Sequence, residues 1–305
     1  VGDEAVTTPL TFCATANCVL YQGASPVFAD VENDTLNLDP DDVRRRLSSR
    51  TKAVVPVDYA GHSADLDAFL GLADRHGLIV IEDAAHAFGG RYRGRRIGSV
   101  SHMTVFSFHP VKHLTTGEGG MVTTDDATFA NRLRTFRSHG IEVDFRQREA
   151  QQSWRYDMVA LGYNYRLTDI AAGLGLSQLQ RLDVNLARRC EIATRYADAF
   201  LDLSGVTCPH VKADVQPAWH LYPLRLDLTR ATCDRAEIFR ALRVEGVGVN
   251  VHYPPIHLHS YYRTRFGYSS GAYPIAEQAY ETLISLPIFP AMTDDDVEDV
   301  VVESQ

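Results

Sequence analysis

Leu78-Ile-Val-Ile81 is an unbroken apolar run that ends in Glu82 and Asp83. A strand with apolar side chains on both faces is stable only where layers cover it from both sides, as in a parallel sheet between helices. The neighbouring sequence agrees. Strand-like runs are expected at residues 5–8, 27–31, 51–57, 104–108 and 121–124. Helical stretches fall between them at 13–22, from Pro40 onward, at 64–76, at 126–138 and at 170–182. Alternation every ten to fifteen residues or so predicts an α/β fold, with a mostly parallel sheet flanked by helices. The helix from Pro40 opens with Asp41 and Asp42, which suits the positive end of its dipole. A polar stretch at 141–158 reads as a flexible loop.

A long helix from Val184 to about Leu203 leads out of this unit. Beyond it, strands are expected at 219–226 and 247–252. Helices are expected at 235–245, near Ala276 and after Thr293. The division is a large domain over 1–183 and a smaller C-terminal α+β domain over 184–305.

In an open α/β sheet, ligands bind beyond the C-terminal ends of the strands. Asp83 ends one strand, and Ser107, His109 and Lys112 follow the end of the next. A buried acid, a hydroxyl and a lysine at one sheet edge suit pyridoxal 5'-phosphate (PLP). A carboxylate about 4 Å from the pyridine nitrogen stabilises its proton by roughly 4 kcal/mol at an effective dielectric near 20, about three pKa units. Lys112 is the Schiff-base candidate, because partial desolvation next to a buried strand leaves an amine neutral and nucleophilic. Once freed, the amine can move a proton as base and then acid. His86 either borders the cofactor or is a core histidine. Glu82 points to the other face and reads as structural. The glycines of Thr115–Gly120 are weak evidence, since any tight turn uses them. No glycine fingerprint for a nicotinamide follows the first strand.

The formal net charge of -9 argues against a nucleic-acid surface. The basic run from Arg91 to Arg96 reads as a solvated turn. The five cysteines are odd in number and fit neither a disulfide framework nor a zinc site, which points to a reducing cytoplasm and no metal. No run is long and apolar enough to span a membrane, and the opening Val1-Gly-Asp-Glu is not a signal peptide.

These residues carry a resemblance that extends from the first positions nearly to the last. The chain resembles the DegT/DnrJ/StrS sugar-nucleotide aminotransferases, fold-type I PLP enzymes, in Pro9-Leu-Thr-Phe-Cys-Ala-Thr15, Gly23-Ala-Ser-Pro-Val-Phe-Ala-Asp30, Pro56-Val-Asp-Tyr-Ala-Gly61 and Glu82-Asp-Ala-Ala-His-Ala87. It continues in Ser107-Phe-His-Pro-Val-Lys112, Thr116-Gly-Glu-Gly-Gly120, Gly162-Tyr-Asn-Tyr-Arg166 and Val251-His-Tyr-Pro254. Within the family it looks most like the subgroup that forms UDP-4-amino-4,6-dideoxy-N-acetyl-β-L-altrosamine, on the way to pseudaminic acid. The pieces are Val57-Asp-Tyr-Ala-Gly61, Phe106-Ser-Phe-His109, Arg137-Ser-His-Gly140 with Asp144-Phe145, His220-Leu-Tyr-Pro223, and His86 where many relatives have Gln.

The resemblance implies that Lys112 forms the Schiff base, Asp83 holds the pyridine nitrogen, Ser107 binds the phosphate and Phe12 stacks on the ring. It implies that Asn164 reaches the phosphate of a neighbouring subunit, with Arg166 nearby, so that a homodimer shares its active sites. His252 and Tyr253 would line the side of the UDP-sugar, and glutamate would be the amino donor. Another keto-sugar aminotransferase acting at C3 or C4, or a non-catalytic PLP-binding regulator, is the alternative. Members of that family carry an additional N-terminal segment with a phosphate-gripping loop. The resemblance implies that it is missing here, leaving apolar surface uncovered and the phosphate less firmly held.

Overall fold

In the computed structural model, which describes residues 1–230 and 233–304, the central sheet has six strands. Their order is Ser25–Phe28, Glu4–Thr7, Thr51–Val55, Ile79–Asp83, Met103–Ser107 and Gly120–Thr123. The first five are parallel, and Gly120–Thr123 closes one edge antiparallel to Met103–Ser107. Val6, Val54 and Val80 on the inner strands are fully buried against Leu66, Phe69 and Leu72 of the helix Leu66–His76.

Local signals set the helix ends. Asp39 caps Pro40–Arg46 by accepting from the Asp41 N–H, and Arg44, Arg45 and Arg46 occupy its last turn. Leu66–His76 is capped by Asp65 and ends at Gly77 in the left-handed region, φ 65°. Residues 141–158 differ from the expected flexible loop. They hold a short helix, Phe145–Ala150, with a reciprocal cap between Asp144 and Gln147, and Ile141 pairs with Met158.

The C-terminal half has a three-stranded antiparallel sheet, ordered Leu283–Leu286, Tyr222–Leu226 and Val206–Thr207. The strand expected at 247–252 does not form. Its backbone turns back on itself between Val247 and Val249, and Asn250 makes one isolated bridge to Ser285. Leu283–Leu286 takes the place beside Tyr222–Leu226 instead. The basic run 91–96 is more than a turn. It is a small hairpin joined by Val215–Gln216, with Arg93 ion-paired to Asp67 and Asp214. A separate apolar cluster joins the two halves, packing Leu10, Phe28 and Tyr59 against Leu221, Ile256, Tyr262, Tyr273 and Leu283.

Behind the sheet edge lie two carboxyls, Asp58 and Glu82, with no solvent exposure. Asp58 Oδ1 accepts from the Ala64 N–H at 2.9 Å, and Glu82 Oε2 from the Thr104 hydroxyl at 2.6 Å. Asp58 Oδ2 and Glu82 Oε1 are buried with no hydrogen-bond partner among the described residues. Burial pushes both acids up, and the charge of Glu82 adds to the push on Asp58. An acid raised in the folded state contributes stability at low pH and loses it as pH rises through the raised value. Asp58→Asn keeps the acceptor for Ala64 and supplies a permanent donor toward Glu82. Its stability relative to wild type should therefore grow between pH 5 and pH 8, by about 1 kcal/mol or more. Urea midpoints at the two pH values measure this. A constant or shrinking difference would mean that Asp58 is not raised in the folded protein.

Candidate active site

Asp83 lies opposite Val105 in the register of the two central strands, so Asp83 and Ser107 emerge along one edge of the sheet. Asp83 is half-buried there. Its Oδ2 accepts from the Thr15 hydroxyl at 2.7 Å and its Oδ1 from the Ala85 N–H at 3.1 Å. Thr15 reaches it from the first turn of the helix Ala14–Tyr21, and its hydroxyl is 3.2 Å from that of Thr11. Burial pushes the Asp83 acid up, while these donors and Lys112 hold it down.

Lys112 follows the strand Met103–Ser107 on a turn closed by its own N–H to the His109 carbonyl at 2.9 Å. Burial lowers its amine to about 8, against the opposing pull of Asp83. Its Nζ is 3.4 Å from Nε2 of His220. His86, nearly buried just after Asp83, lies with its ring 4.4 Å from that of His220, and its Nε2 is 3.0 Å from the Tyr253 hydroxyl. Tyr253 lies beside Phe12, with ring centroids 6.2 Å apart. The His252 carbonyl accepts from the Tyr59 hydroxyl at 2.6 Å, and His252 Nδ1 is 3.0 Å from the Ser285 hydroxyl. A continuous chain of contacts thus runs from Phe12 through Tyr253, His86 and His220 to Lys112, with Asp83 close enough to act on Lys112 and on Tyr253.

Ser107 stands half-buried at the same strand end, its Oγ 3.4 Å from the His109 N–H. Asn164 and Arg166 lie elsewhere. Both are exposed, on a segment folded against 136–141, where Asn164 pairs with Ser138. Two glycines permit that fold. A Cβ on Gly162 would come within 2.2 Å of the Gly140 N, and Gly140 sits at φ 77°. Among the described residues, neither Asn164 nor Arg166 touches the Lys112 group. Sequence reasoning gave no role to Thr15 or His220. Thr15 had no signal beyond its place in Pro9–Thr15, and His220 was noticed only within His220–Pro223.

The residues fit the coenzyme. Asp83 takes its hydrogen bonds from a hydroxyl and an N–H, which leaves its charge available to a pyridine N–H. The amine of lowered basicity beside it suits an aldehyde. Among the described residues, no group of three or more His, Cys, Asp or Glu could hold a metal ion, and no helix is long and apolar enough to cross a membrane.

The model of the DegT/DnrJ/EryC1/StrS aminotransferase family matches residues 1–304. The spore coat polysaccharide biosynthesis protein SpsC of Bacillus subtilis is 46% identical over 302 residues, which cover 98% of this chain and 78% of SpsC. Among solved structures, Helicobacter pylori PseC, an aminotransferase of pseudaminic acid biosynthesis, superposes with a TM-score of 0.91 at 34% identity, covering 99% of this chain and 78% of PseC. The PLP form of the sugar aminotransferase Spr1654 of Streptococcus pneumoniae gives a TM-score of 0.89 at 30% identity, covering 99% and 79%. The chain therefore belongs to the DegT/DnrJ/EryC1/StrS aminotransferase family and is a PLP-dependent sugar aminotransferase.

Proposed function

We propose that the protein transfers the amino group of glutamate to the keto carbon of a 4-keto-6-deoxy UDP-sugar, forming UDP-4-amino-4,6-dideoxy-N-acetyl-β-L-altrosamine. The carrying observation is the meeting of Lys112, Asp83 and the His86–Tyr253 pair at one sheet edge. When bound, the coenzyme supplies an aldehyde to hold the amino group and a ring to take up an electron pair. Asp83 keeps the ring nitrogen protonated. Lys112 would anchor the aldehyde and, as a free amine, would take a proton from the amine-bearing carbon of the donor and deliver it across the nitrogen to the carbon that had been the aldehyde of the coenzyme. Phe12 covers the ring face, Ser107 binds the phosphate, and His252 and Tyr253 face the sugar. The choice of sugar rests on the likeness to PseC and on His86. SpsC, at 46% identity, favours a second reading, another nucleotide keto-sugar aminated at C3 or C4. Incubating the protein with glutamate and candidate keto-sugars, with NMR of the product, separates the two. Amination of a different sugar alone would overturn the first. The odd number of unbridged cysteines supports a reducing cytoplasm as its place of work.

The working unit we propose is a homodimer. Trp154 and Leu161 are each 81% exposed and Ile170 is 89% exposed, around the segment that bears Asn164. Apolar surface of this kind calls for a partner, and a two-fold dimer would carry Asn164 to the other subunit's site. Inactive Lys112→Ala and Asn164→Ala proteins, unfolded and refolded together, should then regain about a quarter of wild-type activity, because half of the dimers are mixed and each mixed dimer has one intact site. No recovery on mixing would rule out a shared site.

A further inference from the structure

His220 faces the amine of Lys112 from the opposite half of the chain, 108 residues away in sequence. It is 8% exposed, with its ring between those of His86 at 4.4 Å and His113 at 5.4 Å. Its backbone is firmly set. The His220 N–H donates to the Ala60 carbonyl at 2.9 Å, and the Ala218 N–H to the Gly61 carbonyl at 2.9 Å. A Cβ on Gly61 would come within 2.8 Å of the Trp219 N and 3.0 Å of the His220 N, so only glycine lets these segments approach. Trp219 itself holds φ 51°.

The clamp on this segment is Arg189, in the long helix Leu182–Phe200. It is 5% exposed and donates to the carbonyls of Trp219 at 2.9 Å and Ile288 at 2.7 Å. Its hydrogen bonds go to carbonyls, and among the described residues no carboxylate pairs with it; burial alone lowers its guanidinium. A buried cation without a counter-ion disfavours a second positive charge nearby.

The titratable groups facing His220 are His86, His113, Lys112 and Arg189, all basic. Burial first, then these neighbours, hold its imidazole well below the usual histidine range. Lys112 faces Asp83 as well as His220. A neutral imidazole offers one acceptor nitrogen, and Nε2 is the nitrogen that meets Lys112. The His220 Nδ1 is buried without a partner.

We propose that His220 is a positioning residue for the reaction: its uncharged ring, held by Arg189, accepts an N–H of Lys112 and aims the free amine along the edge that carries Asp83. An acceptor at this point bonds an ammonium more strongly than an amine, so it opposes the lowering of Lys112 by burial. The proposal rests on Lys112 as the working amine, and its test reads that amine directly, without coenzyme or sugar. The rate at which an amine-reactive acylating reagent modifies Lys112 in the apo-protein would be followed by mass spectrometry across pH. In His220→Leu, the labelling midpoint should fall by about half a pH unit or more, whereas His220→Gln, which retains an acceptor, should keep the wild-type midpoint. An unchanged midpoint in His220→Leu overturns the proposal, as does an equal fall in both variants. Should His220→Leu fail to fold, Arg189→Met supplies the second measurement. The His220 ring titration, followed by NMR, should move upward with the buried cation gone. An unmoved titration counts against the clamp. If Lys112→Ala retained activity, the proposed chemistry would fall while the labelling result stood.

Discussion

Lys112→Ala should remain folded and lose amino transfer by about 10²- to 10⁴-fold, the span that a positioned acid–base group contributes. Folding should survive because Lys112 is half-buried and, among the described residues, its side chain hydrogen-bonds only to His220. The defect should therefore lie in turnover rather than in stability. Two controls sharpen the result. A small primary amine added to the variant should restore part of the rate, because the cavity left by the side chain sits where a base is needed. Lys112→Arg should not recover, since a guanidinium keeps its proton at any pH the protein tolerates. The measurement is amino-sugar formation from glutamate under single-turnover conditions, beside a urea unfolding curve. A variant that aminates at the wild-type rate would remove Lys112 from the chemistry.

Asp83→Asn should lose about 10³-fold in turnover. The figure follows from the roughly 4 kcal/mol by which a carboxylate about 4 Å from a ring nitrogen stabilises the proton there. Asn is the informative replacement because it is isosteric and can still accept from either the Thr15 hydroxyl or the Ala85 N–H. The charge goes while the shape stays. A second effect is expected in the protein alone. Asp83 is the anion that opposes the burial of Lys112, so without it the amine should fall below about 8. The pH profile of Lys112 acylation tests this, and single-turnover rates test the first effect. Wild-type turnover in Asp83→Asn would mean that the ring nitrogen is held in some other way.

The large sheet was legible because burial on both faces leaves apolar runs too long to misread. Val54 and Val80 sit where such runs placed them. Leu283–Leu286 was missed for the opposite reason. It is only four residues long and wholly buried, so it shows no alternation, and the following Pro287 reads as a break. The helix Phe145–Ala150 lay hidden in polar composition, although Asp144 and Gln147 stand at capping-box spacing. At the site, Asp83, His86, Ser107 and Lys112 share two adjacent strand ends, so strand periodicity and the rule for strand ends bring them together. His220 and Arg189 come from distant elements. Only tertiary packing puts them beside Lys112, and nothing in local spacing marks them. Asn164 and Arg166 were placed by resemblance alone, and their segment offers no periodicity that would have done so.

The apolar seam in which Phe28 and Tyr59 meet Ile256, Tyr262 and Tyr273 bears on protein engineering. Asp30 reinforces it, accepting from the N–H groups of Ile275 and Ala276 at the start of the helix Pro274–Thr282. A chimera that grafted a relative's C-terminal half onto this N-terminal half, to borrow its sugar preference, would cut through that packing. Only grafts that bring both sides of the junction from the same parent should yield a soluble hybrid.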